Sequence, residues 1–241
     1  MIDVTRDGRM MTVTLNQPPD NRLNGQMFVE LNEALDRVPA SEIDLLLFSG
    51  RGSFFSKGFD LEQIRACRDP EEMRRDLSLI NQVYRRILRM PVVRVAAING
   101  HCFGGGLELA LLCHFRVCAE RIRIGLPEMS AGIIPGLGGV HRLAAVVGAA
   151  KALELIAMGD MVTPEEALRL NLVSRVFPKA DFATHVSGFV RTLLMANADT
   201  IRDVIRLVAE SPGRDDDANT EAAIEAFVRA FGRGLGAGGT A

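Results

Sequence analysis

The sequence predicts an α/β core that gives way to an all-helical C-terminal region. Short β-rich runs alternate with helical patterns up to about residue 180. The strand runs read as near-continuous apolar stretches, the pattern of a parallel-rich sheet buried on both faces. Beyond Pro178 helical patterns follow one another with few strand signals between them.

The first strand is Met10-Met11-Thr12-Val13-Thr14-Leu15. Met27, Leu31, Ala34, Leu35 and Val38 then recur at helical spacing, and Leu45-Leu46-Leu47-Phe48 reads as a buried strand, so the chain opens in β-α-β order. A second helix starts at Asp69-Pro70, where the acid can cap and the proline's missing N–H costs nothing in the first turn. Its predicted buried face is Leu77, Ile80, Tyr84, Ile87 and Leu88. The strand Val92-Val93-Arg94-Val95-Ala96-Ala97-Ile98 leads into a glycine loop and another helix. Thr163-Pro164-Glu165-Glu166 is a capping box, Thr163 closing the helix start and Glu166 reaching back, with the helix running to Leu170. Further helices are expected at 182–196, 200–210 and 220–231. The expected division is a core over 1–180 that carries the site, a helical region over 181–232 for contacts between copies, and a disordered Gly-rich tail over 233–241.

Composition narrows the function classes. With 48% hydrophobic and 24% charged residues the chain reads as a globular protein, and no apolar run nears the ~18 residues of a membrane span. A net charge of −2 gives no broad basic field, so nucleic acid is not an expected partner. The basic stretch Arg74, Arg75, Arg85, Arg86 and Arg89 is interleaved with Glu71, Glu72 and Asp76 and reads as a solvated helix face, with an anionic ligand as the alternative. Met1-Ile2-Asp3-Val4-Thr5-Arg6-Asp7 lacks an apolar signal core, which predicts a cytoplasmic location. Cysteines 67, 102, 113 and 118 form no Cys-x-x-Cys pair and are expected to be buried free thiols.

The chemistry is concentrated in two glutamates at marked turns: Glu108 in Gly104-Gly105-Gly106-Leu107-Glu108, and Glu128 in Leu126-Pro127-Glu128. Taken singly, each is a surface or cap residue and the triplet a tight turn. Together they can do more. A glycine triplet between strand and helix lets backbone approach a ligand and leaves the first helical N–H groups unpaired, an arrangement suited to a developing oxyanion beside carboxylates that move protons.

The segment Asn99-Gly100-His101-Cys102-Phe103-Gly104-Gly105-Gly106-Leu107-Glu108-Leu109-Ala110 resembles the signature of the crotonase (enoyl-CoA hydratase/isomerase) superfamily. Ser53-Phe54-Phe55-Ser56-Lys57-Gly58-Phe59-Asp60 is similar to that family's first oxyanion loop, and Gly132-Ile133-Ile134-Pro135-Gly136-Leu137-Gly138-Gly139 to the continuation after Pro127-Glu128. The resemblance implies a spiral of β-β-α turns with a helical region that supports trimers, often paired into hexamers. It implies oxyanion donors at the Phe59 and Gly105 backbone N–H groups, and a hydratase that adds water to a 2-enoyl-CoA to give a 3-hydroxyacyl-CoA. Glu108 would act as base on the water and Glu128 would give a proton to the α-carbon. No metal or redox cofactor is implied, coenzyme A entering only as part of the thioester.

By the same resemblance Ser56, Lys57 and Gly58 are candidates for the adenine end, and Arg22, Asp60, Gly104, Pro135 and Gly136 for other substrate contacts. The alternatives are double-bond isomerisation or another enolate reaction on an acyl-CoA, and a non-catalytic acyl-CoA-binding scaffold. The chain departs from the family at Arg22, at the acidic Glu62 and at Cys113-His114. His114 and His101 are expected to be packing or polar-network residues. Acyl selection is expected in the stretch from about Glu62 to Met90 and in the helical region.

Overall fold

The structure, a computed structural model, describes residues 1–37 and 40–234. The chain opens with β1 (Ile2–Asp7), β2 (Met10–Leu15) and α1 (Gly25–Arg37), followed by β3 (Leu45–Gly50), β4 (Phe54–Ser56), α2 (Leu61–Ala66) and α3 (Pro70–Arg89). Next come β5 (Val93–Ile98), β6 (His101–Phe103) and α4 (Gly105–Ala110), then β7 (Phe115–Ala119), β8 (Ile124–Gly125), α5 (Gly139–Val147) and α6 (Ala149–Met158). A short β9 (Met161–Val162), α7 (Pro164–Arg169) and β10 (Arg175–Phe177) close the core, and α8 (Phe182–Met195), α9 (Ala198–Glu210) and α10 (Asp216–Gly234) follow.

The strands form two sheets, one ordered β1-β2-β3-β5-β7-β10 and one ordered β4-β6-β8-β9. The first turn keeps both strands, β1 and β2, in the large sheet, and the next three, β3-β4, β5-β6 and β7-β8, each give their first strand to the large sheet and their second to the small one. That alternation is the spiral. Among the described residues only β1/β2 and β8/β9 pair antiparallel. β5 is buried at every position and β3 over Leu45–Phe48, whereas β2 alternates and β1 is largely exposed at the edge. Parallel pairing sets Leu47 beside Val95 and Ala97 beside Val117, which keeps the central strands apolar on both faces.

Several predicted ends are found. Asp69 caps α3 by accepting from the Glu71 N–H at 2.9 Å, with Pro70 in the first turn. Thr163 accepts from the Glu166 N–H at 3.2 Å, but among the described residues Glu166 makes no return bond, so the box is half formed. The buried face of α3 is Ile80, Val83, Tyr84 and Ile87. Leu77 is half-buried because it lines a cleft, and Leu88 is 37% exposed. Val38 lies outside the described residues. So do residues 235–241 of the predicted tail, while Gly232 and Arg233 continue α10; a glycine in a helix costs only about 1 kcal/mol and does not end it.

Two arginines in the strands, Arg94 and Arg116, are buried without carboxylate partners among the described residues. Arg94 Nε donates to the Leu112 carbonyl at 2.9 Å, and its Nη1 reaches the carbonyls of Ile87, Leu88 and Met90 at 3.3–3.4 Å. It thereby closes the C-terminal end of α3, where the Ile87 carbonyl also takes the Met90 N–H at 3.2 Å. Arg116 binds the carbonyls of Leu172 and Cys113 at 2.7 and 2.6 Å. Beside them His114 is pushed down to about 3 by burial and by both guanidinium charges, which makes it the neutral polar-network residue expected. Replacing Arg94 by Met should remove the side-chain donor from the Leu88 and Met90 carbonyls and lower stability by about 3 kcal/mol. Urea unfolding measures this, and an unchanged midpoint would show that the helix end needs no such cap.

Candidate active site

The glycine triplet sits where β6 runs into α4, and each glycine is required by a different close neighbour. A Cβ at Gly105 would stand 2.6 Å from the Phe59 ring, one at Gly106 would stand 2.7 Å from Ser56 Cβ, and one at Gly104 would stand 2.9 Å from Glu128 Oε1. Gly104 also holds φ +52°, a region that favours glycine. Gly105 is the first residue of α4, and Gly104 before it supplies no side-chain cap, so the helix's first N–H groups remain open. Gly58 packs under this turn, since a Cβ there would lie 2.9 Å from the Phe103 carbonyl and 3.2 Å from the Gly105 nitrogen.

Glu108 is 2% exposed on α4. Its Oε1 accepts from the N–H groups of Leu137 and Gly139 at 2.8 and 2.9 Å, donors presented by the turn that begins α5. Burial raises its pKa, while those two N–H groups and the nearby Arg142 charge oppose the rise. Glu128 opens a short 3-10 turn behind Pro127. Its Oε2 is buried and receives no hydrogen bond from the described residues. Burial, reinforced by the charge of Glu108, pushes Glu128 up to about 7. One carboxylate is thus anchored by backbone donors that offset part of the rise from burial, and the other is poised between protonated and ionised at neutral pH.

Both glutamates open onto a cleft of about 1730 Å³, whose wall also includes Lys57, Phe59, Asp60, Gly104, Gly105 and Gly136. The remaining candidates stand behind that wall. The buried Ser56 hydroxyl donates to the Asn21 carbonyl at 2.7 Å and accepts from the Gly58 N–H at 3.1 Å. Pro135 is buried against Gly139. Arg22 is held by Asp20 and Asp60, each at 3.2 Å, and Lys57 shares Asp20 at 3.3 Å. Asp60 also caps α2 through the Glu62 N–H, so local ion pairs and capping occupy much of this loop's polar capacity. His101 Nδ1 accepts from the Arg123 N–H and its ring stacks on Phe103, away from the cleft. Of the cysteines, 102, 113 and 118 are buried, whereas Cys67 is only half-buried and lines the cleft, correcting the expectation for that one.

Two residues that bear on the site carry no motif in the sequence. Tyr84 is fully buried, places its hydroxyl 3.4 Å from the Gly105 carbonyl and packs edge-on against Phe28, which stacks on Phe59. Arg142 donates to the Leu137 carbonyl at 2.6 Å, so it holds the peptide turn whose N–H groups hold Glu108. Its place in the first turn of α5 was the only signal available.

A sequence profile of the enoyl-CoA hydratase/isomerase family matches residues 5–233. The chain belongs to that family. It is 39% identical over 174 residues to the "Probable enoyl-CoA hydratase" of Bacillus subtilis (strain 168), covering 72% of this chain and 67% of that protein. It is 35% identical over 181 residues to the fatty acid oxidation complex subunit alpha of Shewanella frigidimarina, covering 73% of this chain but only 26% of that longer protein. The fold superposes on a Geobacillus kaustophilus HTA426 enoyl-CoA hydratase with a TM-score of 0.87 at 29% identity, over 95% of this chain and 88% of that one. A candidate enoyl-CoA hydratase from Thermobifida fusca YX in complex with CoA gives 0.88 at 25% identity, over 98% and 95% of the two chains. The fold is therefore the crotonase fold, with its C-terminal helices in place.

Two predictions follow from the carboxylate geometry. Arg142→Gln removes a cation from Glu108 and frees its supporting turn, so carboxyl-carbon NMR titration should show Glu108 protonating roughly half a pH unit or more higher than in the parent; an unchanged titration would mean the turn holds itself. Glu128 has a folded pKa above its unfolded one, so its contribution to stability is fully present below about 4.5 and is lost as pH rises through about 7. Glu128→Gln should therefore raise stability at pH 8 by at most about 3 kcal/mol and leave it nearly unchanged at pH 4. Denaturation at the two pH values checks this.

Proposed function

We propose that this protein catalyses the reversible hydration of a 2-enoyl-CoA to a 3-hydroxyacyl-CoA. The observation that carries the reading is the asymmetry of the two carboxylates on one cleft: Glu108 is anchored by two backbone N–H groups, and Glu128 has a buried free oxygen and a pKa near 7. Both stand beside the open N–H end of α4.

In this mechanism the thioester oxygen rests on the Phe59 and Gly105 N–H groups, which stabilise the enolate-like transition state. A water lies between the carboxylates. Glu108, as the anion, takes one proton while the water oxygen bonds to the β-carbon. The α-carbon takes a proton from protonated Glu128, so the elements of water add across the double bond and the proton on Glu108 later returns to Glu128. This route calls on no metal or redox group. The CoA portion provides binding energy that holds the enoyl group against the carboxylates. The Thermobifida fusca structures with CoA and acetoacetyl-CoA support a CoA ester as the ligand. Assembly into trimers or hexamers is part of the same reading, supported by Ile224, Phe227, Val228 and Phe231 of α10, which are 51–70% exposed.

A second reading, double-bond isomerisation, is favoured by one feature: Glu108 Oε1 already accepts two hydrogen bonds, and isomerisation needs only the one mobile proton that Glu128 can supply. Loss of conjugated enoyl-thioester absorbance on adding the protein to a 2-enoyl-CoA tests hydration. Glu108→Gln and Glu128→Gln should each lower kcat at least about a hundredfold with the fold intact. Wild-type rates in both variants would sink the hydratase mechanism, and turnover of a 3-enoyl-CoA that survives Glu108→Gln would move the assignment to an isomerase.

A further inference from the structure

We propose that the acyl arm of this cleft selects an uncharged, extended apolar acyl group and rejects one that ends in a carboxylate. The proposal rests on the reading of the site as one for acyl thioesters, and it concerns which acyl groups that site admits.

The position of the arm comes from contacts at the carboxylates. A Cβ at Gly136 would stand 3.7 and 3.8 Å from the two methyl carbons of Leu77, so the face of α3 lies directly against the turn that anchors Glu108. From there the cleft runs along Met73, Leu77 and Ile80 of α3, with Ile64 and Ile133 also in its wall. The cleft of about 1730 Å³ takes the CoA portion as well as the acyl group, and it is the apolar face of α3 that an acyl chain meets beside the carboxylates.

Charge around the arm supports the second half of the proposal. The acids Glu72 and Asp76 stand on α3 at its lip. Arg74 and Arg75, next to them on the same helix, turn instead to Glu71 and Asp69. The two cations in the cleft wall are also engaged, Lys57 by Asp20 at 3.3 Å and Arg86 by Asp36 at 2.7 Å. A carboxylate at the end of an acyl chain would thus enter apolar surroundings with no free cation among the described residues of the wall to receive it and two acids at the lip to repel it. Burying such a charge unpaired is strongly unfavourable. An apolar chain gains instead, because each methylene taken from water is worth roughly a fourfold increase in affinity.

The test is calorimetric titration of the full chain with butyryl-CoA, octanoyl-CoA and glutaryl-CoA. These are saturated thioesters, so they cannot be hydrated and binding is read without catalysis. Octanoyl-CoA should bind at least about tenfold tighter than butyryl-CoA, and glutaryl-CoA at least about tenfold weaker. Leu77→Arg places a cation in the arm; it should erase the octanoyl preference and strengthen glutaryl binding, and Met73→Arg should act in the same direction. All three esters binding within about threefold of one another would overturn this proposal and leave the thioester reading standing. Failure of all three to bind would overturn both.

Discussion

The arrangement of this molecule depends on keeping the Glu108 carboxylate in a place where water does not reach freely. An isolated carboxylate in such surroundings would protonate or pull water in, and several elements are committed to preventing that. Leu137 and Gly139 donate two backbone N–H groups to one oxygen, and Arg142 fixes the carbonyl of the same turn. The start of α5 is therefore part of the site, although it approaches from a segment remote from α4 in the chain.

The second constraint is close approach of backbone. Two loops carrying the proposed oxyanion donors come from different β-β-α turns, and they meet only because glycines remove the side chains that would separate them. Phe59 packs on the face of Gly105, Ser56 lies on Gly106, and Gly58 lies against the Gly105 nitrogen. Ser56 matters here as packing and as a buried hydrogen-bond partner of Asn21, with no face on the cleft. The large sheet supplies rigidity through strands buried on both faces, and the small sheet supplies the strands β4, β6 and β8 that lead into the site loops.

Electrostatic asymmetry then turns a pair of like acids into two different groups. Glu108 is buried and accepts two N–H groups from the turn that begins α5, whereas the half-buried Glu128, helped only by its own backbone N–H, is raised chiefly by desolvation and further by its neighbour's charge. Environments that separate two pKa values give one carboxylate the role of base and the other the role of acid. Nothing in the identity of two glutamates encodes that division, because it follows from which backbone groups point at each oxygen.

Most of the fold's character was legible in the sequence. Strands β2, β3 and β5, the starts of α3 and α7 and the three C-terminal helices follow from local patterns that the structure preserves. Local pattern also marked the two glutamates, the glycine triplet and, through family resemblance, the loop at Phe59. Shorter strands such as β4, β6 and β8 had too few residues to show a period, and the division into two sheets depends on pairings across distant segments. Arg22 looked available for an anionic ligand, but the fold pairs it with Asp20 and Asp60. The sequence by itself determined which chemical groups are present and which helices and strands carry them. Tertiary structure alone decided which groups are paired, desolvated or exposed in the cleft, because ion pairing, hydrogen bonding and pKa depend on distances between residues far apart in the chain.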